Sequence, residues 1–98
     1  MRAPTFDLTL LRTLVAIADT GSVTAAAKRL AYTQSTVSMQ LQRLEAQLAV
    51  SLHEREGRRL RFTAEGERLL AHARRLLALN DEAWSDMQAR QITGDLTL

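Results

Sequence analysis

Gln34, Ser35, Ser38, Gln40 and Gln42 carry the most legible chemistry in this chain. On a helix that starts after Thr33 they form one face, polar and almost free of carboxylates. Amides and hydroxyls both donate and accept hydrogen bonds, so such a face suits base edges and phosphate oxygens. The opposite side of the same helix holds Val37, Leu41, Leu44 and Leu48, spaced by four, three and four, an apolar stripe to lay on a core. A second candidate is Arg58, expected at the tip of a hairpin. A guanidinium there can enter a narrow minor groove and meet its negative potential. The alternative for Arg58 is a solvated turn residue.

Catalytic chemistry finds no such pattern. His53 and His72 stand 19 positions apart, with no matching carboxylate pair and no nucleophile context. No glycine-rich phosphate loop is present. The chain has no cysteine, which rules out disulfides and thiolate metal sites. The expectation is therefore no enzyme activity, no metal and no cofactor. The N-terminus carries no long apolar run, so neither a signal peptide nor a membrane span is readable.

These residues need elements to position them. Ninety-eight residues allow one small domain, and 46 % apolar with only 4 % aromatic content predicts an aliphatic, helix-packed core. Pro4 discourages helix in residues 1–6. Asp7 can cap a helix from Leu8 to about Asp19, with Leu11, Leu14, Val15 and Ala18 as its stripe and Leu10 and Ile17 widening it. This helix is scaffold, and its Arg12 either sits in solvent or finds a partner. Gly21 and Ser22 turn and cap into a short alanine-rich helix, Val23 to Leu30, against which another helix can pack closely. Thr33 caps the next.

The period then changes. Leu60 and Phe62 alternate with Arg59 and Arg61 as in a strand, Leu52 to Arg55 makes a partner strand, and Glu56-Gly57-Arg58 makes the tip. Thr63 caps a last helix, with Glu65 and Glu67 in its first turn favourable to the dipole. It runs to about Ile92, where Gly94 interrupts it, a length of roughly 40 Å. Leu69, Ala73, Leu76, Asn80, Ala83 and Met87, flanked by Leu70, Leu77 and Trp84, form a heptad-like stripe. Its length predicts that part of this face meets a second chain, with Asn80 fixing register.

Charge follows the same division. Residues 1–62 carry nine basic against five acidic side chains, a balance of +4, and residues 63–98 a balance of −2. The basic half holds the short helix, turn and longer helix, the pattern of a DNA-reading helix-turn-helix. The fold class that follows is mainly α: a winged helix-turn-helix, with a three-helix core and a β-hairpin wing, then a long linker helix. A protein-interaction module is the competing reading. The acid-poor Gln/Ser face and Arg58 speak against it, because an adaptor needs neither.

Three runs in the helix-turn-helix carry a family resemblance: Ala-Ala-Lys-Arg-Leu at 26–30, Thr-Gln-Ser-Thr-Val-Ser at 33–38 and Gln-Arg-Leu-Glu at 42–45. With Leu-His-Glu-Arg-Glu-Gly-Arg-Arg at 52–59 and Leu-Arg-Phe-Thr-Ala-Glu-Gly at 60–66, the chain resembles the N-terminal domain of LysR-type transcriptional regulators from Phe6 to about Leu98. Thr33-Gln34-Ser35 and Leu79-Asn80-Asp81-Glu82-Ala83 are similar to the LrhA/HexA/PecT subgroup. Ser35 departs from the family, which mostly has Pro there; a hydroxyl can hydrogen-bond where a pyrrolidine offers only apolar surface.

The resemblance implies DNA contacts from Gln34, Ser35, Thr36, Ser38 and Met39, with Thr33 at the cap and Gln40 and Arg43 further along. Arg43 stays open between a phosphate and an ion pair with Glu45 or Glu54. Ser22 and Thr24 are candidate phosphate contacts at a helix N-terminus. It further implies three segments: residues 1–62 as the DNA-binding domain, 63–92 as the dimerisation helix, and 93–98 as the start of an effector-binding domain. The implied partners are double-stranded DNA and a second copy, with a tetramer in the longer parent. Any small-molecule effector would bind the C-terminal part that lies beyond this chain. The implied location is the bacterial cytoplasm, associated with the nucleoid.

Overall fold

The computed structural model describes residues 4–56 and 59–97. Three helices come first: α1 (Leu8–Thr20), α2 (Val23–Leu30) and α3 (Gln34–Leu48). Each begins at a side chain that satisfies an orphan backbone N–H. Asp7 accepts from the Thr9 N–H at 2.9 Å, Ser22 from Ala25 at 3.0 Å and Thr33 from Thr36 at 3.1 Å. Each ends in the left-handed region, at Gly21 (φ 85°), Ala31 (φ 59°) and Ala49 (φ 56°). Glycine bears that geometry without strain, whereas the two alanines pay for it through their Cβ atoms.

The hairpin is β1 (His53–Glu56) paired antiparallel with β2 (Arg59–Phe62), in register from His53↔Phe62 to Glu56↔Arg59. Leu52, expected inside the first strand, precedes it. Its side chain is fully buried, and its carbonyl accepts the Thr63 N–H at 3.0 Å. That carbonyl serves the start of α4 (Ala64–Thr97) and not a strand ladder. Thr63 caps α4 by accepting from the Gly66 N–H at 3.0 Å, and donates its hydroxyl to the Ser51 carbonyl at 2.7 Å.

One core joins all of this. Leu11, Leu14, Ile17, Val37, Leu44 and Leu52 are its largest fully buried apolar side chains, and buried Ala26 and Ala27 let α2 approach closely. The α3 stripe buries Val37, Leu41 and Leu44 as expected, but Leu48 stays 36 % exposed. Leu48 is the last residue of α3, at the open end of the stripe.

Two expectations about the last helix are corrected. It does not stop near Ile92 but continues through Gly94 to Thr97, so residues 93–97 extend the same helix. A single glycine costs a helix only about 1 kcal/mol, and no proline follows to break it. The second correction concerns the stripe assigned to a partner. Leu69, Leu70, Ala73 and Leu77 are all buried within this chain's own core. Helix α1 covers that face. Ala83 is exposed, as are Leu76 at 39 %, Leu79 at 62 %, Trp84 at 69 % and Met87 at 61 %. Asn80 is half-buried and donates to the neighbouring Asp81 carboxylate at 3.1 Å.

Candidate nucleic-acid interface

The outward face of α3 is built by the cap at one end and the core stripe behind it. Because Val37, Leu41 and Leu44 point into the core, Gln34, Ser35, Met39, Gln42 and Arg43 are held outward, with Thr36 and Ser38 half-buried at the margin. The Thr33 hydroxyl donates to Thr36 Oγ1 at 3.0 Å, so these two hydroxyls are partly spent on the cap. Gln34, Ser35, Ser38, Gln42 and Arg43 have no hydrogen-bond partner among the described residues. Their donors and acceptors face solvent, as a reading surface requires.

Gln40 behaves differently. It is half-buried and its side-chain oxygen accepts from the Thr13 hydroxyl on α1, which is itself buried. Gln40 therefore ties α3 to its scaffold, a correction to its place among the contact residues. The apolar side of the helix draws it inward, which the sequence did not disclose.

Arg43 has lost one of its alternatives. The Glu45 carboxylate accepts from the Leu52 N–H at 2.8 Å and meets His53 Nδ1 at 3.0 Å. It is thus bound to the approach of the hairpin and not to Arg43. Arg43 stands exposed with no ion pair among the described residues. Glu45 has a role that no local spacing announces: it joins the end of α3 to the start of the hairpin.

Ser22 is half-buried and Thr24 exposed at the start of α2. Lys28 and Arg29 lie in the last turn of the same helix, where positive charge suits the dipole. Arg29 reaches Asp19 at 3.9 Å, and Asp19 also accepts from Arg74 at 2.7 Å. On the hairpin, Arg55 and Arg59 are exposed and unpaired among the described residues, while Arg61 pairs with Glu56 at 3.0 Å. Arg58, the expected wing-tip contact, lies outside the described residues. Lys28, Arg55 and Arg59 were not singled out from sequence, where an exposed base has no signal to separate it from any other.

This geometry matches known proteins. Residues 8–67 match the family described as bacterial regulatory helix-turn-helix protein, lysR family. The chain belongs to the LysR family. Its LysR domain is 45 % identical over 92 residues to the HTH-type transcriptional regulator PecT of Dickeya dadantii, covering 94 % of this chain and 29 % of PecT. The chain thus spans less than a third of that relative's length. Among solved structures, the CbnR DNA-binding domain in complex with DNA shares 38 % identity at a TM-score of 0.79, over 86 % of this chain and 97 % of that one. The BenM DNA-binding domain with the catB site 1 DNA shares 34 % identity at a TM-score of 0.81, over 86 % and 94 %.

Among the described residues no helix is long and apolar enough to cross a membrane, and no cluster of three or more metal-ligating side chains occurs.

Proposed function

We propose that this LysR domain binds double-stranded DNA in a sequence-specific manner as a homodimer, and so serves a transcriptional regulator. One observation carries the reading: the exposed α3 face from Gln34 to Arg43 bears amides, hydroxyls, a thioether and a guanidinium, with no carboxylate. That face would enter the major groove, where amides and hydroxyls discriminate base edges and Met39 can pack against a thymine methyl. Its relatives CbnR and BenM, solved in complex with DNA, support DNA as the partner.

Roles follow from chemistry. Gln34, Ser35 and Ser38 read bases. Thr33, Thr36, Arg43 and the Ser22 and Thr24 end of α2 hold phosphates, and Arg55 and Arg59 flank the wing on which Arg58 would meet a minor groove. The dimer forms on the exposed part of α4. The chain acts by binding and not by catalysis: His53 is engaged by Glu45, and His72 by Arg75 at 2.8 Å, on separate elements. As a regulator of a bacterial family its place is the cytoplasm, and the effector-binding and tetramer-forming parts belong to the longer parent.

Titration of labelled genomic duplexes by fluorescence anisotropy tests the reading. A preferred duplex bound at least 1,000-fold more tightly than random DNA, on the order expected for specific readers, supports it. Equal, salt-insensitive binding to every duplex overturns it.

A further inference from the structure

Glu45 is the only acid in α3, and it stands in the helix's last turn. There the helix dipole disfavours negative charge, so by itself the carboxylate weakens the helix. Its surroundings offset that cost. One oxygen, Oε2, accepts from the Leu52 N–H at 2.8 Å and meets His53 Nδ1 at 3.0 Å. The Ser51 hydroxyl lies 3.4 Å from the same oxygen. Contact with a carboxylate places a proton on His53 Nδ1. The Glu45 backbone carbonyl takes the Val50 N–H at 3.2 Å, so this one residue grips the connector through backbone and side chain alike.

The far end of the hairpin closes onto the same few residues. Thr63, directly after β2, donates its hydroxyl to the Ser51 carbonyl and its N–H to the Leu52 carbonyl. Both strands therefore leave from one junction, at residues 51–53 and 63. Among the described residues, every side-chain hydrogen bond from α3 to that junction ends on Glu45 Oε2. Strands of four residues reach about 13 Å beyond it. A tilt of about 10° at the base moves the far end by about 2 Å, a third of a minor groove about 6 Å wide. A two-stranded hairpin has too little stability of its own to resist such a tilt. Its posture is set at the base.

We propose that Glu45 is the positioning residue that sets the distance and tilt of the hairpin against α3, and thereby which flanking base pairs the wing prefers. This rests on the reading of α3 and the hairpin as DNA-contacting elements, and adds the part that fixes their spacing. Glu45 touches no DNA in this role. A·T-rich stretches narrow the minor groove, so a hairpin held at one distance and tilt favours some flanks over others. Reach matters here, and charge does not. An acid near phosphates repels them, so charge alone would make Glu45 weaken binding to every duplex alike. Buried Val37, Leu41 and Leu44 fix α3 on the core. A side chain one methylene shorter must therefore draw the junction inward or release it.

The probe is the preferred genomic duplex with two derivatives, one exchanging A·T for G·C in its outer base pairs and one exchanging its central base pairs. Glu45→Asp keeps the charge and shortens the reach. It should lower discrimination against the altered flanks at least fivefold and keep discrimination at the centre within twofold. Glu45→Gln keeps the reach and an acceptor oxygen without the charge, and should hold both within twofold. Both variants should match the unmodified chain in helical circular dichroism. Flank discrimination retained by Glu45→Asp overturns the proposal, and so does an equal loss at flanks and centre, which marks a merely structural role. A fivefold loss at the flanks in Glu45→Gln shows charge at work instead of reach, and overturns it even where Glu45→Asp does not fold. An unmodified chain that discriminates the centre but not the flanks overturns the positioning role and leaves reading by α3 intact. One that discriminates neither overturns both.

Discussion

The Arg12 guanidinium lies 2.6 Å from the Asp81 carboxylate, and one helical repeat away Arg74 lies 2.7 Å from Asp19. Seven residues separate the two positions on each helix, so the pairs clamp α1 and α4 antiparallel at two points. Asp19 further meets Arg29 of α2, which links the helix-turn-helix to α4 through one carboxylate. Single exposed ion pairs contribute little, but here they set the register of a helix whose outer half carries the proposed partner surface.

Acid should loosen this clamp. The Arg74 hydrogen bond holds the Asp19 carboxyl below its ordinary 3.8, and the bond from Arg12, helped by Asn80, does the same for Asp81. A carboxyl lowered in the folded state stabilises it fully above the unfolded value and loses that contribution as pH falls through the folded one. Stability should therefore be unaffected by these groups at pH 5–7 and decline as pH drops below 3.8. The double variant Asp19→Asn/Asp81→Asn, followed by urea unfolding across pH, should lose part of that acid dependence. An unchanged pH profile would remove the clamp from the account.

Gly66 is needed for a close approach. A Cβ there would fall 2.1 Å from the Leu52 carbonyl oxygen, backbone that is already committed to Thr63. Gly66→Ala should lower unfolding free energy by at least about 1–3 kcal/mol, the usual range for overpacking. Alanine at the exposed glycine-free position Glu67, one residue on, should cost less than about 0.5 kcal/mol.

Ala31 should gain from the opposite change. Its φ of 59° places a Cβ in the left-handed region, at the turn between α2 and α3. Glycine there relieves about 1–2 kcal/mol of strain and returns about 0.4–1 kcal/mol through the freer unfolded chain. Ala31→Gly should thus raise stability slightly, by about 0.5–1 kcal/mol, in thermal or urea unfolding. A decrease would show that the turn holds the alanine side chain in a contact of its own.

The two parts of α4 should respond differently to charge. Leu77→Asp buries a carboxylate in the core and should unfold the domain or cost several kcal/mol. Leu79→Asp, at a position 62 % exposed, should leave the helical circular dichroism intact and abolish dimers in sedimentation. If Leu79→Asp remains dimeric, the partner surface lies elsewhere.

Periodicity and capping made the helices legible. Asp7, Ser22 and Thr33 each mark a start, and Val37, Leu41 and Leu44 each point inward as their spacing requires. The limits of that reading are equally physical. An apolar stripe states that a face is covered, not by what, so Leu69, Leu70, Ala73 and Leu77 were assigned to a partner when α1 covers them. Gln40 shows the same gap, because an amide at the margin of a stripe can turn to solvent or to Thr13 with no change in pattern. Glu45 and Gly66 act on the backbone around Leu52, far along the chain, and no local spacing encodes such a contact.

The central claim is that α3 reads sequence while its flanking bases hold the backbone. Titrating Gln34→Ala and Arg43→Ala at several salt concentrations, on preferred and random duplexes, tests it most directly. Gln34→Ala should cost about 1–3 kcal/mol on the preferred duplex and far less on random DNA. Arg43→Ala should weaken both similarly and flatten the log-affinity against log-salt slope by about one. If Gln34→Ala lowers both affinities equally and leaves the specificity ratio intact, α3 is not the reading helix, and the account is contradicted.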